Sequence, residues 1–243
     1  MTDSPKVQSQ RRQQAASGLM HLHAADRVVT RLEQAQVPCA LLKGAAFLDT
    51  LYDDVSQRSL GDIDILVSRT HANQAANLLA EIGATPVDSE RSHSYHQQFR
   101  SQEGPYIEVH TGLCADGLFC IDYNALLGRR ITRQTKGRSV PMLNPEDSFL
   151  SLVVHEAKHG YAVPEHSRED LHRIVGRWQP RWPVIIERAK SWGAGTACFV
   201  SCVGLLRSHG TNIPDEVIGA LRPSPRRLGL LRSAIDLDTG RPK

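Results

Sequence analysis

The sequence predicts an α/β (α+β) fold: a small mixed β-sheet flanked by helices in the first half, followed by a helical second half. Three observations carry that expectation. "LGDIDILV", Leu60 to Val67, alternates apolar and acidic residues with the period of a strand, and "YIEVH", Tyr106 to His110, does the same. From Asn144 onward the apolar residues recur at helical spacing instead. With 243 residues the chain can bury a substantial core.

The elements follow in order. Leu19, Leu22, Ala25, Val29 and Leu32 stand at helical spacing, so a helix is expected from about Gln8 to Gln36, stopped by Pro38. The apolar "CALLKG" reads as a first strand ending at Lys43-Gly44. "AAFLDTLYDD" reads as a short helix, and the stretch through Arg58 as a loop leading to the acidic strand. In that strand Ile63, Ile65 and Val67 share one face and Asp62 and Asp64 the other. Thr70 is placed to cap the next helix, with Ala75, Leu78, Leu79 and Ile82 inward and Gly83 as its stop. "YHQQFRS" and "YIEVHTG" are extended. In the second, Tyr106, Glu108 and His110 lie opposite Ile107 and Val109.

Past "GRSVPMLNPED" a strong helix start appears. Asn144 is the cap, Pro145 the first helical residue, and Glu146 and Asp147 fill the first turn. Helices are expected from Pro145 to about Gly160, Ser167 to Trp178, Pro183 to Trp192, Ala194 to Ser208 and again from near Pro214, with "RPSPRR" as a loop. The expected division is 1–36, an N-terminal helix packing on the core; 37–143, the α/β core; and 144–243, the helical domain.

Composition narrows the partners. The net charge of +3 sets up no global field that demands a nucleic acid, and Arg11-Arg12, Arg129-Arg130 and Arg226-Arg227 read as solvated patches. Aromatic residues make up only 5% of the chain and form no basic-aromatic stripe, so nucleic acid is possible but not favoured. Five cysteines, odd in number and without a CxxC pair, read as reduced and mostly buried thiols of a cytosolic protein. "MTDSPKVQSQRRQQ" lacks the apolar core of a signal peptide, and no apolar run has bilayer length. A cytoplasmic protein without a membrane partner is expected.

Two ionised carboxylates on one strand face repel each other, and a cation between them relieves the repulsion. Mg²⁺, with Mn²⁺ as the alternative, suits carboxylate oxygens that also meet substrate phosphates. The plain reading is a strand whose polar face meets solvent. If the two acidic strands are neighbours, Glu108 joins Asp62 and Asp64 and a three-carboxylate metal site results.

A glycine turn closing a strand, then a helix, then Asp-x-Asp on the next strand and a third acid on a later one resembles the polymerase-β-like nucleotidyltransferase superfamily. "LLKGAAFLDTLYDDVSQRSLGDIDILV", "IEVHTGL", "LVVHEAKHG" and "REDLHRIV" resemble, more closely, the uncharacterised nucleotidyltransferases of bacteria, from about Val37 to Trp192. The resemblance implies an enzyme that moves a nucleoside monophosphate from an NTP to an acceptor hydroxyl and releases pyrophosphate, on a nucleotidyltransferase core at 37–143. It implies Asp62, Asp64 and Glu108 as catalytic metal-holding residues, with Glu108 also helping to deprotonate the attacking hydroxyl. It implies Gly44 for close approach of backbone to phosphate, and Lys43 and Arg58 for the phosphate charge. Ala45 stands where many superfamily members place a phosphate-contacting serine, and the interval from Gly44 to Asp62 is longer than in the compact motif.

Each residue has a competing structural reading. Lys43 could snorkel from a strand end, Arg58 could pair with Asp53 or Asp54, and His110 is as well suited to a structural hydrogen bond as to the cleft. "HEAKH", His155 to His159, matches the HExxH zinc motif, in which the glutamate is the general base. His166 and Glu169 do not supply the extended spacings of that class. On a helical wheel Leu150, Val154, Ala157 and Tyr161 form one stripe, with His155 and His159 on the far side, where they and Asp170 could face the carboxylates. Asp170 reads equally as a cap-region acid. The favoured acceptor is a small molecule or peptide. The alternatives are a tRNA-modifying toxin-type nucleotidyltransferase, a zinc hydrolase built on the HEAKH helix, and a nucleotide-binding module without catalysis.

Overall fold

The structure is a computed structural model, and it describes residues 4–87, 94–102, 104–135, 137–236 and 241–242. The chain forms two compact units: Met1–Gly112 with Tyr123–Leu143, and Leu113–Asp122 with Asn144–Lys243. The short segment Leu113–Asp122 belongs to the second unit. Its backbone is bound there by Cys120 N–H to Trp192 O (2.9 Å) and by Lys158 Nζ to Leu113 O (3.2 Å).

The first unit is built on seven strands: β1 (Cys39–Leu41), β2 (Asp62–Val67), β3 (Ala84–Pro86), β4 (His96–Ser101), β5 (Tyr106–His110), β6 (Ile131–Thr135) and β7 (Arg138–Met142). They form one mixed sheet in the order β3-β4-β5-β2-β1-β7-β6. The sheet has more strands than the sequence reading singled out, because β3 is only three residues long and the polar β6 enters by pairing with β7. Gly137 (φ +83°) turns β6 into β7, using backbone freedom that a side chain would restrict.

At the centre, β2 pairs with β1 antiparallel and with β5 in parallel, in a register that sets Asp62 beside Tyr106, Asp64 beside Glu108 and Leu66 beside His110. Ile63, Ile65, Val67, Ile107 and Val109 are buried, as their alternation requires. Helices α1 (Pro5–Gln34) and α3 (Ala72–Glu81) lie against this sheet through Ala25, Val28, Leu32, Ala75, Leu78 and Leu79, all buried. Arg138 on β7 ties α1 to the sheet, with Nη2 2.6 Å from Asp26 Oδ1 and Nη1 2.6 Å from Asp49 Oδ2.

Two local expectations change. Thr70 is not a helix cap: Ser68 Oγ bonds Thr70 Oγ1 (2.8 Å) and His71 Nδ1 (2.6 Å) around a 3-10 turn, and α3 begins at Ala72. The first strand ends at Leu41, and Lys43 opens the short helix α2 (Lys43–Phe47) with φ +47°.

The second unit is helical. It contains α5 (Pro145–Lys158), α6 (Glu165–Arg173), α7 (Trp182–Ser191), α8 (Gly195–His209), α9 (Asp215–Leu221) and α10 (Pro225–Ala234); α4 (Tyr123–Gly128) belongs to the first unit. Asn144 caps α5 by accepting from Asp147 N–H (2.9 Å), as the sequence predicts. Beyond α6 the chain continues as a π-helix over Ile174–Trp178, and Pro225 starts α10 inside the segment read as a loop. Phe149 and Trp182 meet edge to face at 5.6 Å. Cys39, Cys114, Cys198 and Cys202 are buried and Cys120 is exposed. Among the described residues no helix is long and apolar enough to cross a membrane.

Candidate active site

Three neighbouring strands of the first unit converge on one polar face. β2 contributes Asp62 and Asp64, β5 contributes Glu108 and His110, and β4 contributes His96 and Gln98, the register partners of His110 and Glu108. Because the β2–β5 pair is parallel and in register, Asp64 and Glu108 point the same way from adjacent backbones.

Asp64 is the hub. Its Oδ1 accepts from Lys43 Nζ at 2.8 Å and from His110 Nε2 at 2.7 Å. Glu108 Oε2 lies 3.3 Å from the same His110 nitrogen, and its Oε1 accepts from Gln98 Nε2 at 3.3 Å. His110 is 2% exposed, and its ring stacks on His96 with centroids 5.3 Å apart. Burial alone would raise the Asp64 carboxyl, but the Lys43 ammonium and the His110 bond hold it well below the usual carboxylate range. Glu108 is lowered chiefly by its bond to His110, against the effect of burial. Burial would push Lys43 and His110 down; the carboxylates around them push both up instead. Asp62, half-buried beside the ionised Asp64, is pushed up to about 6 by burial and by that neighbouring charge.

Lys43 reaches Asp64 from a left-handed backbone conformation that costs a non-glycine residue of order 1 kcal/mol. Such strain at the start of α2 marks a side chain held in place by its surroundings. Gly44 follows for a steric reason. A Cβ there would lie 2.3 Å from Leu60 Cδ2 and 3.2 Å from Arg58 Nη1. Arg58 is buried, its guanidinium lies over Gly44, and it donates to Ser59 O.

Of the residues the sequence singled out, Lys43, Gly44, Arg58, Asp62, Asp64, Glu108 and His110 therefore all stand in the first unit. Sequence reasoning missed Gln98 and His96. The alternation of "YHQQFRS" places them on one face, but only strand pairing reveals that they stand opposite Glu108 and His110.

His155, His159 and Asp170 stand in the second unit. His155 lies in the last turn of α5 and His159 is its C-cap, their rings edge to face at 4.6 Å. The glutamate of HEAKH is committed elsewhere: Glu156 is buried, its Oε2 accepting from Ser201 Oγ at 2.5 Å and its Oε1 lying 3.6 Å from Arg168 Nε. That places it among α6 and α8, which corrects the general-base role of the zinc reading. Asp170 is fully buried in the middle of α6, where Glu165 holds the first turn, so it is not a cap acid. Among the described residues the potential metal-ligand group of three is Asp64, Glu108 and His110.

Residues 4–204 match the family described as "Uncharacterised nucleotidyltransferase". The chain belongs to this family. No curated protein matches the sequence significantly. Among solved structures, the chain is similar to the ANT(2")-Ia complex with adenylyl-2"-tobramycin, with a TM-score of 0.53 at 13% identity over 70% of this chain and 95% of that one. It is similar to an antigenic nucleotidyltransferase-like protein from Paracoccidioides brasiliensis, with a TM-score of 0.52 at 16% identity over 85% and 94%. The lincosamide antibiotic adenylyltransferase LnuA, bound to lincomycin, matches with a TM-score of 0.44 at 19% identity over 60% and 91%. The mixed α/β fold is that of nucleotidyltransferases, and the family places this chain among enzymes of nucleotidyl transfer.

Proposed function

We propose that this nucleotidyltransferase moves a nucleoside monophosphate from an NTP to a hydroxyl of a small-molecule or peptide acceptor, with Mg²⁺, or Mn²⁺ in its place, held by Asp62, Asp64 and Glu108. The observation that carries the reading is the register of β2 and β5, which aligns Asp64 with Glu108 on the face that also bears Asp62. The donor chemistry fits a hard cation. Burial, with the neighbouring Asp64 charge, raises Asp62, and Asp64 draws on Lys43 and His110 for positive charge.

The bound metal would screen the phosphate charge and favour in-line displacement at the α-phosphorus with pyrophosphate leaving. Glu108, less buried than Asp64, accepts the proton of the attacking hydroxyl. Gly44 lets the chain approach phosphate where a side chain would collide, and Lys43 and Arg58 balance the phosphate charge. The small-molecule acceptor is supported by ANT(2")-Ia, solved with an adenylylated tobramycin, which also makes ATP the first donor to try.

The test is transfer of label from each α-labelled NTP into a panel of hydroxylated small molecules, peptides and tRNA, comparing wild type with Asp64→Asn. Label appearing in a small molecule or peptide only with wild type supports the proposal. Label entering tRNA replaces the acceptor assignment. Equal transfer by Asp64→Asn removes the catalytic assignment.

A further inference from the structure

His110 occupies the centre of the carboxylate cluster, bonded to Asp64 and 3.3 Å from Glu108. We propose that His110 Nε2, giving up its proton to solvent as the ion binds and leaving the remaining ring proton on Nδ1, is a direct ligand of the metal held by Asp64 and Glu108, and that this nitrogen makes the site select Mn²⁺ over Mg²⁺. The inference rests on the nucleotidyltransferase reading for the presence of a metal, and goes beyond it in naming the donor set and the ion.

Geometry is the first support. The ligand atoms of Asp64, Glu108 and His110 all lie within 4.8 Å of one another. Two donors at right angles on a six-coordinate ion, with bonds of about 2.1 Å, are about 3 Å apart. The separations of Nε2 from Asp64 Oδ1 and Glu108 Oε2 are 2.7 and 3.3 Å, on either side of that value. Two of the three donor separations thus suit a six-coordinate ion, and the third lies within 4.8 Å.

The second support is how the ring is held. His110 is 2% exposed and shares its strand face with Glu108 two residues before it. Stacking on His96 from the paired strand fixes its plane. One ring nitrogen is thereby aimed at both carboxylates, 2.7 Å from Asp64 Oδ1 and 3.3 Å from Glu108 Oε2.

Ligand chemistry supplies the selectivity. Mg²⁺ takes oxygen donors almost exclusively, whereas a first-row transition ion gains from an imidazole nitrogen. Mn²⁺ is the member of that series most at home in a set otherwise made of carboxylates.

The deciding experiment is pulsed electron paramagnetic resonance on the full chain loaded with Mn²⁺ and no nucleotide, together with Mn²⁺ and Mg²⁺ binding by titration. Wild type should show the ¹⁴N modulation of a directly bound histidine. That signal should be absent in His110→Gln and present in His96→Gln. The ratio of Mn²⁺ to Mg²⁺ affinity should fall by about tenfold in His110→Gln. Growth on ¹⁵N-histidine, which replaces the ¹⁴N pattern without a substitution, keeps the test valid if His110→Gln fails to fold. Mn²⁺ bound in an Asp64-dependent way without histidine modulation would overturn the ligand assignment and leave the transferase reading standing. Modulation that survives in folded His110→Gln would also overturn it. A wild-type protein that binds no Mn²⁺ and transfers no nucleotide would overturn both.

Discussion

The strand β5 and the helix α5 each present a sequence pattern suited to a metal, and they end differently. On β5, Glu108 and His110 are two residues apart on one face, and adjacent strands bring Asp64 and Gln98 to the same spot. On α5, the residues of HEAKH point in different directions. Glu156 enters the helical packing toward Ser201 and Arg168, while His155 and His159 remain at the end of the helix. The difference is one of neighbours. A strand hands its polar face to the strands beside it, whereas a helix distributes consecutive side chains around an axis and can lose one of them to the core.

The sharpest way to break this comparison is substitution at the two acids. Asp64→Asn should lower nucleotidyl transfer by about 10³-fold, the equivalent of several kcal/mol of lost metal stabilisation, with an unchanged circular dichroism spectrum. Glu156→Gln should leave the rate of transfer within about twofold, since its bonds are structural. Equal losses at both positions would put the helix in the catalytic machinery.

Next in size is the fold itself. Glu156→Ala removes the buried acceptor of Ser201 Oγ and a side chain that packs beside Arg168, and should destabilise the protein by about 1 to 3 kcal/mol in a urea titration. Gly44→Ala should cost about 1 to 3 kcal/mol by the same measurement, because the added carbon would lie 2.3 Å from Leu60 Cδ2. NTP affinity should weaken with it, read by titration of the folded variant.

A pH series sharpens the comparison further. Burial raises the Glu156 pKa despite Ser201 and Arg168. The native state therefore holds this proton more tightly than the unfolded chain, and wild type loses stability as pH rises through that window. Glu156→Gln does not titrate there, so its stability relative to wild type should increase from pH 4.5 toward neutrality. A difference that stays flat with pH would mean that Glu156 is already ionised at no cost. The smallest expected effect is at the histidines: His155→Ala with His159→Ala should change zinc binding in metal-free buffer by less than about twofold.

Much of the candidate site was legible because its signal is local. The alternation of Asp62, Asp64, Glu108 and His110 with apolar residues has period two and can be read within each segment. The starts and spans of the long helices were legible for the same reason, with Asn144 and Pro145 marking α5. Less was legible at the sheet edge, where the polar "ITRQT" forms β6 by pairing with β7 rather than by burying an apolar face. Thr70 failed as a cap because Ser68, two residues earlier, took over the turn.

By itself, then, the sequence determined which residues share a face, where the main helices begin and which side chains carry acid chemistry, since periodicity and capping depend only on near neighbours along the chain. Tertiary structure alone decided that Asp64 stands beside Glu108, that His110 lies between them, that Gln98 and His96 back the pair, and that Glu156 turns into the helical packing. Which strands become neighbours and which helices pack together is set by contacts between residues far apart in the chain; the local alternation fixes the face of a strand but not its partner.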